Sequence, residues 1–373
     1  MAAIRILHVL PQFQPGGGIE RVVMNYFDNI DHDEYHFDIV THKMENDTYA
    51  REITAAGGQV HVFDPVGPKT IGSNAKRFAA LLDEKPYDVV HCHMANAAFI
   101  YLKEAEKKGV PIRILHSHQD HYADTTMHAL RNVPLIAIGK RHANRRVACS
   151  VESGRFLFGS KPFTVVNNGI DLDTFRFDAD KRYKMRTELK ADDQTLLLGQ
   201  VGRLVPQKNP LFSIKMFETL LREHPNATLV FAGDGELRQE ALELTHQLGI
   251  SQNVAFLGNI TDVVGLYNAL DGLLMPSLYE GISLSMAEAQ GTGLPVFASD
   301  TIAKESFATS FASKLKLDDG PEAWAKAILR LLPHMPTDRI TGVNQMREHG
   351  FDAKDCTRQI EDIYSSTHRT VLQ

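Results

Sequence analysis

Short, continuously apolar runs alternate with longer amphipathic stretches along most of this chain, and no other feature restricts its fold as strongly. In the first half the apolar runs are 4–10 (IRILHVL), 36–41, 59–63, 88–93 and 112–117, followed by 147–150 and 163–166. Amphipathic stretches at 19–29, 72–84 and 96–108 separate the earlier ones. A strand with one wet face alternates apolar and polar residues, whereas a strand covered on both faces is apolar throughout. Strand–helix–strand repetition of covered strands predicts a parallel, doubly wound α/β sheet. The pattern pauses over 167–186, which is polar and turn-rich. It resumes with strands at 196–204, 227–235, 254–258, 272–277 and 295–299, and with helices over 210–223, 236–248, 262–270 and from about 283. Two Rossmann-like domains are therefore expected, over 1–170 and 171–351, and the helical stretch in 352–373 is expected to pack back on the first.

At 373 residues the chain is long enough for two such cores. No apolar run reaches the roughly 18–20 residues of a membrane span. The first apolar run stops at Pro11 and reads as a buried strand, not a secretion signal. Three widely spaced cysteines, Cys92, Cys149 and Cys356, exclude a disulfide framework and suit a reducing cytoplasm. Residues 1–170 carry 19 basic and 18 acidic side chains, and the rest carry 21 and 28. Neither half has the basic surplus of a nucleic-acid binder. The near-neutral first half is compatible with peripheral contact at the inner face of the cell membrane.

In open α/β sheets ligands bind beyond the carboxyl ends of the strands, so the residues there decide function. Strand 196–204 runs into GRLVPQKN, which places Arg203 and Lys208 on a loop entering a helix. Two cations beside a helix N-terminus suit a diphosphate. GDGELR (233–238) is a glycine-rich strand-to-helix turn without the third glycine of a dinucleotide fingerprint, and Gly233 lets backbone approach a ligand. The segment 273–300, LLMPSLYEGISLSMAEAQGTGLPVFASD, sets Glu280 and Gly281 on a loop before a helix starting near Ser283. Ser285 and Glu288 have the spacing of a capping box. Free N–H groups over Gly281, Ile282, Ser283 and Leu284 suit a phosphate or its sugar. Glu280 before the helix and Glu288 within it can accept hydrogen bonds from different parts of one ligand.

In the first half PQFQPGGGIERVV places Gly16, Gly17 and Gly18 between a strand and a helix, with Glu20 and Arg21 in the first helical turn. HCH (91–93) and HSHQDH (116–121) end two strands. The second matches an H-x-H-x-D-H zinc pattern, so a binuclear zinc hydrolase using His116, His118, Asp120 and His121 is the alternative. It would need further ligands, of which only His142 lies nearby, and it leaves 199–300 without a role. Asp171-Leu172-Asp173 and Asp178-Ala179-Asp180 are DxD strings in the expected linker, read as turn residues and not as metal ligands.

The order GRL-x3-KN, GDG, PSLYEG-x6-EAQGTGLPV resembles the retaining glycosyltransferases of family 4, which have the GT-B fold, and Glu280-x7-Glu288 matches their EX7E signature. The resemblance implies that Arg203 and Lys208 grip the donor diphosphate, Glu288 bonds the ribose, and Glu280 meets the sugar. It places the backbone at 281–284 on the phosphate and sugar. It implies a glycine turn at 16–18 flanking acceptor and donor phosphate, His118 near the reacting carbon with His93 beside it, and Asn168, Gly169 and Asp171 in an interdomain turn. Such enzymes face two Rossmann-like domains across a cleft and use a nucleoside diphosphate sugar, UDP-linked more readily than GDP-linked here, with no metal cofactor. The stretch 298–306 resembles exopolysaccharide and capsule enzymes, which implies a saccharide or lipid-linked acceptor. A second alternative is a catalytically inactive GT-B protein that only binds sugar.

Overall fold

The apolar runs of the first half become β1 (Ile4–Leu10), β2 (Tyr35–Thr41), β3 (Val60–Val62), β4 (Val89–Cys92), β5 (Ile112–Ser117), β6 (Arg145–Ala148) and β7 (Thr164–Val165). All pair in parallel, in the order β3-β2-β1-β4-β5-β6-β7. The helices between them are α1 (Gly18–Asn29), α2 (Thr48–Ala55), α3 (Ile71–Glu84), α4 (Ala98–Lys107), α5 (Thr126–Gly139) and α6 (Val151–Phe158). This is a computed structural model that describes residues 3–118 and 126–366, without the side chains of 126–131. One face of the sheet is aliphatic: Leu7, Val9, Val90, Cys92 and Leu115 pack with Phe78, Leu82, Tyr101 and Leu102 of α3 and α4. Burying one such side chain contributes about 1.5–3 kcal/mol.

The later part starts with α7 (Ala179–Glu188), inside the stretch expected to be turns; Asp178 caps it by accepting from the N–H groups of Asp180 and Lys181 at 2.9 and 3.0 Å. Then follow β8 (Leu196–Val201), α8 (Pro210–Glu223), β9 (Ala227–Ala232), α9 (Arg238–Gln247), β10 (Val254–Gly258) and α10 (Val263–Ala269). The series ends with β11 (Gly272–Met275), α11 (Leu284–Gly291), β12 (Val296–Ser299), β13 (Ala312–Leu315), α12 (Gly320–Leu331) and α13 (Thr341–Glu348). This second sheet is also parallel, ordered β10-β9-β8-β11-β12-β13. Leu198, Leu229 and Phe231 pack there against Ile214, Phe217 and Leu220 of α8 and Trp324 and Ile328 of α12.

A last helix, α14 (Ala353–Tyr364), returns to the first sheet and packs against α1. The chain thus forms one unit from its start to Gly169 and from Ala353 onward, and a second from Ile170 to Asp352. Gly169 allows the return: a Cβ there would stand 2.8 Å from both Ala353 Cα and Cys356 Sγ. In each sheet the strand order reverses once, between β1 and β4 and between β8 and β11, and ligands of doubly wound sheets bind at the carboxyl side of such a reversal. Among the described residues, no helix is long and apolar enough to cross a membrane.

Candidate functional site

At the reversal of the second sheet, β8 leads into Arg203 and Lys208, and β11 leads into Glu280. Lys208 closes a 3-10 turn over Pro206–Lys208, and its ammonium is ion-paired with the buried Glu280 carboxylate. Ser277 Oγ donates to the same carboxylate oxygen at 3.0 Å. The two loops are laced by further bonds: Leu278 N–H donates to Gln207 O at 2.8 Å, Gln207 Nε2 to Tyr279 O at 3.1 Å, and Asn209 Nδ2 to Pro276 O at 3.2 Å. Gln200, buried in β8, holds the turn from beneath by donating to Lys208 O at 2.6 Å. Arg203 is exposed, and among the described residues it has no acidic partner. One free cation and one carboxylate-tethered cation therefore stand on neighbouring strand ends.

The glycines nearby have a packing reason. Gly202 and Gly233 have φ of +137° and +132°, and a Cβ on Gly233 would lie 2.1 Å from Gly202 O. A Cβ on Gly235 would lie 2.4 Å from Leu204 O. The GDG turn after β9 thus rests directly on the GRL turn after β8, with Leu204 N–H donating to Asp234 O at 3.0 Å. Gly233 is required for this backbone approach.

The helix expected from Ser283 starts as α11, but not through a capping box. Ser283 is the N-cap without a side-chain cap bond, and its hydroxyl lies 3.0 Å from that of Ser285. Glu288 turns instead to Tyr267, whose O–H donates to Glu288 Oε2 at 3.0 Å. With Ser283 as N-cap, Glu288 lies about one turn inside α11 and two residues past the capping-box position, and Tyr267 of α10 offers a buried donor. Gln290 pins α11 to the following segment: its Nε2 donates to Ser306 O at 2.7 Å, and its Oε1 accepts from Ala308 and Thr309 N–H at 3.0 Å.

In the first unit Gly16 takes a positive φ of +101°, Gly17 is the N-cap of α1, and Gly18 opens that helix with nothing within 4 Å of a would-be Cβ. The space beside Gly17 is filled by the carboxyl of Glu20, which is buried. Arg21 lies 3.9 Å from Asp28. On the sheet face opposite the aliphatic one, His8, His91, His93, His116 and His118 follow the two-residue strand period on β1, β4 and β5 and just beyond. His118 Nε2 lies 2.8 Å from His93 Nδ1, and His93 Nε2 lies 3.0 Å from His8 Nδ1. His116 Nδ1 lies 3.1 Å from His91 Nε2, and His91 Nδ1 lies 2.8 Å from the Tyr364 hydroxyl of α14. Burial lowers all five pKa values, His8 to about 3 and His118 to about 4, with the Asn168 side chain raising His118 slightly. The rings are uncharged at neutral pH. Asp120 and His121 of the zinc pattern lie outside the described residues.

Comparison with known proteins decides the family. The profile of glycosyltransferase family 4 matches residues 16–174, and that of glycosyl transferases group 1 matches residues 181–343. The chain belongs to glycosyltransferase family 4. EpsF of Bacillus subtilis (strain 168), which carries the name of a glycosyltransferase, is 29% identical over 97% of this chain and 96% of its own. The capsular polysaccharide biosynthesis glycosyltransferase CapH of Staphylococcus aureus is 22% identical over 97% and 99%. Among solved structures, HepE of Anabaena in complex with UDP superimposes with a TM-score of 0.79 at 18% identity, covering 97% of this chain and 100% of that one. WaaG, a glycosyltransferase involved in lipopolysaccharide biosynthesis, superimposes with a TM-score of 0.73 at 19% identity, covering 96% and 99%. The α/β fold is accordingly GT-B, with two Rossmann-like domains.

In this glycosyltransferase the DxD strings are local caps. Asp171 accepts from the N–H groups of Asp173 and Thr174 at 3.0 and 3.2 Å, and Asp178 caps α7. Two residues absent from the sequence reading support the segment around α11. Tyr267 holds Glu288. Arg339, from a distant loop, donates to the carbonyls of Tyr267, Asn268, Leu270 and Thr292 at 2.8–3.2 Å. Burial lowers the Arg339 pKa to about 9. Its sequence neighbourhood carries no motif; the only available signal was a lone arginine in an otherwise turn-like segment.

Proposed function

We propose that this enzyme moves a hexose-type sugar from a nucleoside diphosphate sugar to a hydroxyl of a saccharide or lipid-linked saccharide, with retention at the anomeric carbon, in exopolysaccharide or capsule biosynthesis. A UDP-sugar is favoured over a GDP-sugar. HepE was crystallised with UDP and with UDP-glucose. An Escherichia coli galactosyltransferase, named for UDP-Gal and a diphosphoundecaprenol-linked acceptor, is 27% identical over 59% of each chain. The observation that carries the reading is the exposed Arg203 beside the Lys208–Glu280 pair, on adjacent strand ends at the reversal of the second sheet.

In this proposal Arg203 and Lys208 bind the diphosphate and stabilise the charge that grows on it as the glycosidic bond breaks. Those two cations do the work that a metal does in other transferases. Glu280, held by Ser277 and Lys208, orients the sugar hydroxyls, and Glu288, held by Tyr267, accepts from the ribose hydroxyls. The backbone over Gly281–Leu284, at the start of α11, meets phosphate and sugar. In the N-terminal domain Gly16–Gly18, Glu20, Arg21 and His93 lie on the acceptor side, and His118 bonds the sugar near its reacting carbon. The acceptor oxygen attacks C1 from the face the diphosphate leaves, and its proton passes to the departing phosphate oxygen. Peripheral membrane contact, in this proposal, belongs to the N-terminal domain.

The test is a thermal-shift panel of UDP, GDP and ADP, followed by turnover with the preferred UDP- or GDP-sugar. A ligand that binds only the native state raises the melting temperature. Arg203→Ala and Lys208→Ala are each expected to lower kcat by about 10²–10³-fold. Normal turnover in both variants overturns the assignment, and nucleotide binding without turnover in the native protein identifies an inactive sugar-binding relative.

A further inference from the structure

Three of the histidines form a face as well as a row. One nitrogen from each of His93, His116 and His118 lies within 4.8 Å of the others. All three rings line a cavity of about 230 Å³ in the first unit. We propose that His93, His116 and His118 form a transition-metal site, a three-imidazole set of the kind that holds Zn²⁺ and leaves a fourth position open to the cavity.

The hydrogen bonding of His93 and His116 favours this arrangement over a metal-free one. A neutral imidazole has one donor and one acceptor nitrogen, and a metal-bound histidine donates its other N–H to an outer partner. With His93 Nδ1, His116 Nε2 and His118 Nε2 as ligands, the second nitrogens of His93 and His116 each have a partner. His93 Nε2–H donates to His8 Nδ1, 3.0 Å away. His116 Nδ1–H donates to His91 Nε2 at 3.1 Å, and His91 Nδ1–H passes the chain on to the Tyr364 hydroxyl at 2.8 Å. The Asn168 side chain is the polar group beside His118, whose Nδ1 makes no hydrogen bond among the described residues. Without metal, His93 Nδ1 and His118 Nε2 share one proton, and the buried His116 Nε2 has no partner. Buried polar atoms of native proteins seldom stay unpaired.

The backbone supports the ligands well. His116 lies within β5, and His93 and His118 sit one residue past β4 and β5. Zn–N bonds of about 2.0–2.1 Å set tetrahedral N···N separations of roughly 3.4 Å, so the His93–His118 pair has to open slightly. His8, His91 and His93 also bring nitrogens together, but neither His8 nor His91 lines the cavity. Those two form the outer layer. These residues differ from the H-x-H-x-D-H set, since His93 comes from another strand. On the transfer mechanism proposed above, bound metal and donor sugar compete for His118; the metal site itself does not depend on that mechanism.

The experiment uses the full chain, stripped with a chelator and titrated with Co²⁺ and then Zn²⁺ in a non-coordinating buffer. One equivalent of Co²⁺ is expected to give the strong visible absorption of a four-coordinate ion, and one equivalent of Zn²⁺ is expected to abolish it and raise the melting temperature. His116→Asn is expected to weaken binding at least 100-fold, and His8→Asn, in the outer layer, about 10–100-fold. A second readout needs no variant: the native chain loses the Zn²⁺-induced rise in melting temperature when chelator is restored. Absence of a stoichiometric Co²⁺ spectrum in the native chain, or unchanged affinity in folded His116→Asn, overturns the site.

Discussion

Replacing Asp271 by asparagine tests how the second domain is held at the edge away from the carboxyl ends of its strands. The Asp271 carboxylate, just before β11, accepts from Arg182 Nη2 at 2.7 Å, Arg186 Nη1 at 3.1 Å and Leu197 N–H at 2.8 Å. The Arg186 side chain is only 5% exposed, and its remaining bonds go to the backbone carbonyls of Asp192, Thr195 and Ala269. Asparagine keeps the bond from Leu197 and removes the charge, which leaves a buried guanidinium without its counter-ion. Breaking a buried pair from one side costs about 3–5 kcal/mol. Trp324, the single tryptophan, is buried in the core of the same unit, so its fluorescence follows the unfolding of that unit in urea. With a slope of about 2–3 kcal/mol per molar urea, the midpoint should fall by about 1–2.5 M. Adding Arg186→Met to Asp271→Asn should restore part of the loss, because the pair is then removed from both sides. A midpoint shift below about 0.3 M would refute the reasoning and mean that the carbonyl bonds alone hold Arg186.

Tyr267→Phe takes the one phenolic donor from Glu288 and should raise the donor KM roughly tenfold with little change in kcat, measured by steady-state kinetics. Gly233→Ala drives a Cβ to 2.1 Å from Gly202 O at φ +132° and should lower stability by about 2 kcal/mol or more, visible as a lower melting temperature. Gly72→Ala, inside α3 with nothing within 4 Å of the new Cβ, should move stability the other way by about 0.5–1 kcal/mol.

The covered strands were legible because their apolar runs are unbroken, and the residues after β8 and β11 were legible because short motifs follow those strands directly. Two elements left no such trace. α7 has almost no apolar stripe: Met185 and Arg186 are its buried residues, and the helix is anchored by arginine bonds to carbonyls and to Asp271. A periodicity search looks for hydrophobes, so a helix fixed by guanidinium bonds reads as a polar pause. β13 is a four-residue edge strand paired only with β12 and only partly buried, so it shows no continuous apolar run. The histidines were visible as strand endings, but their network was not. It needs the register of β1, β4 and β5, and a tyrosine 273 residues beyond His91. The capping-box spacing of Ser285 and Glu288 goes unused, because spacing cannot show that Tyr267 stands beside Glu288.

The return of α14 to the first sheet has a consequence for how the protein is made. The ribosome delivers β1–β7 early, then the whole of the second domain, and only afterwards the helix whose Tyr364 meets His91. The domain begun first is finished last. Its histidine face stays without that cover while the intervening segment emerges and folds. Ile170 N–H donates to Phe351 O at 2.9 Å, and Ile170 bridges Asp352, so that segment brings its own two ends together. In genetic terms the second domain is an insertion, and a stop codon placed after it removes a piece of the first.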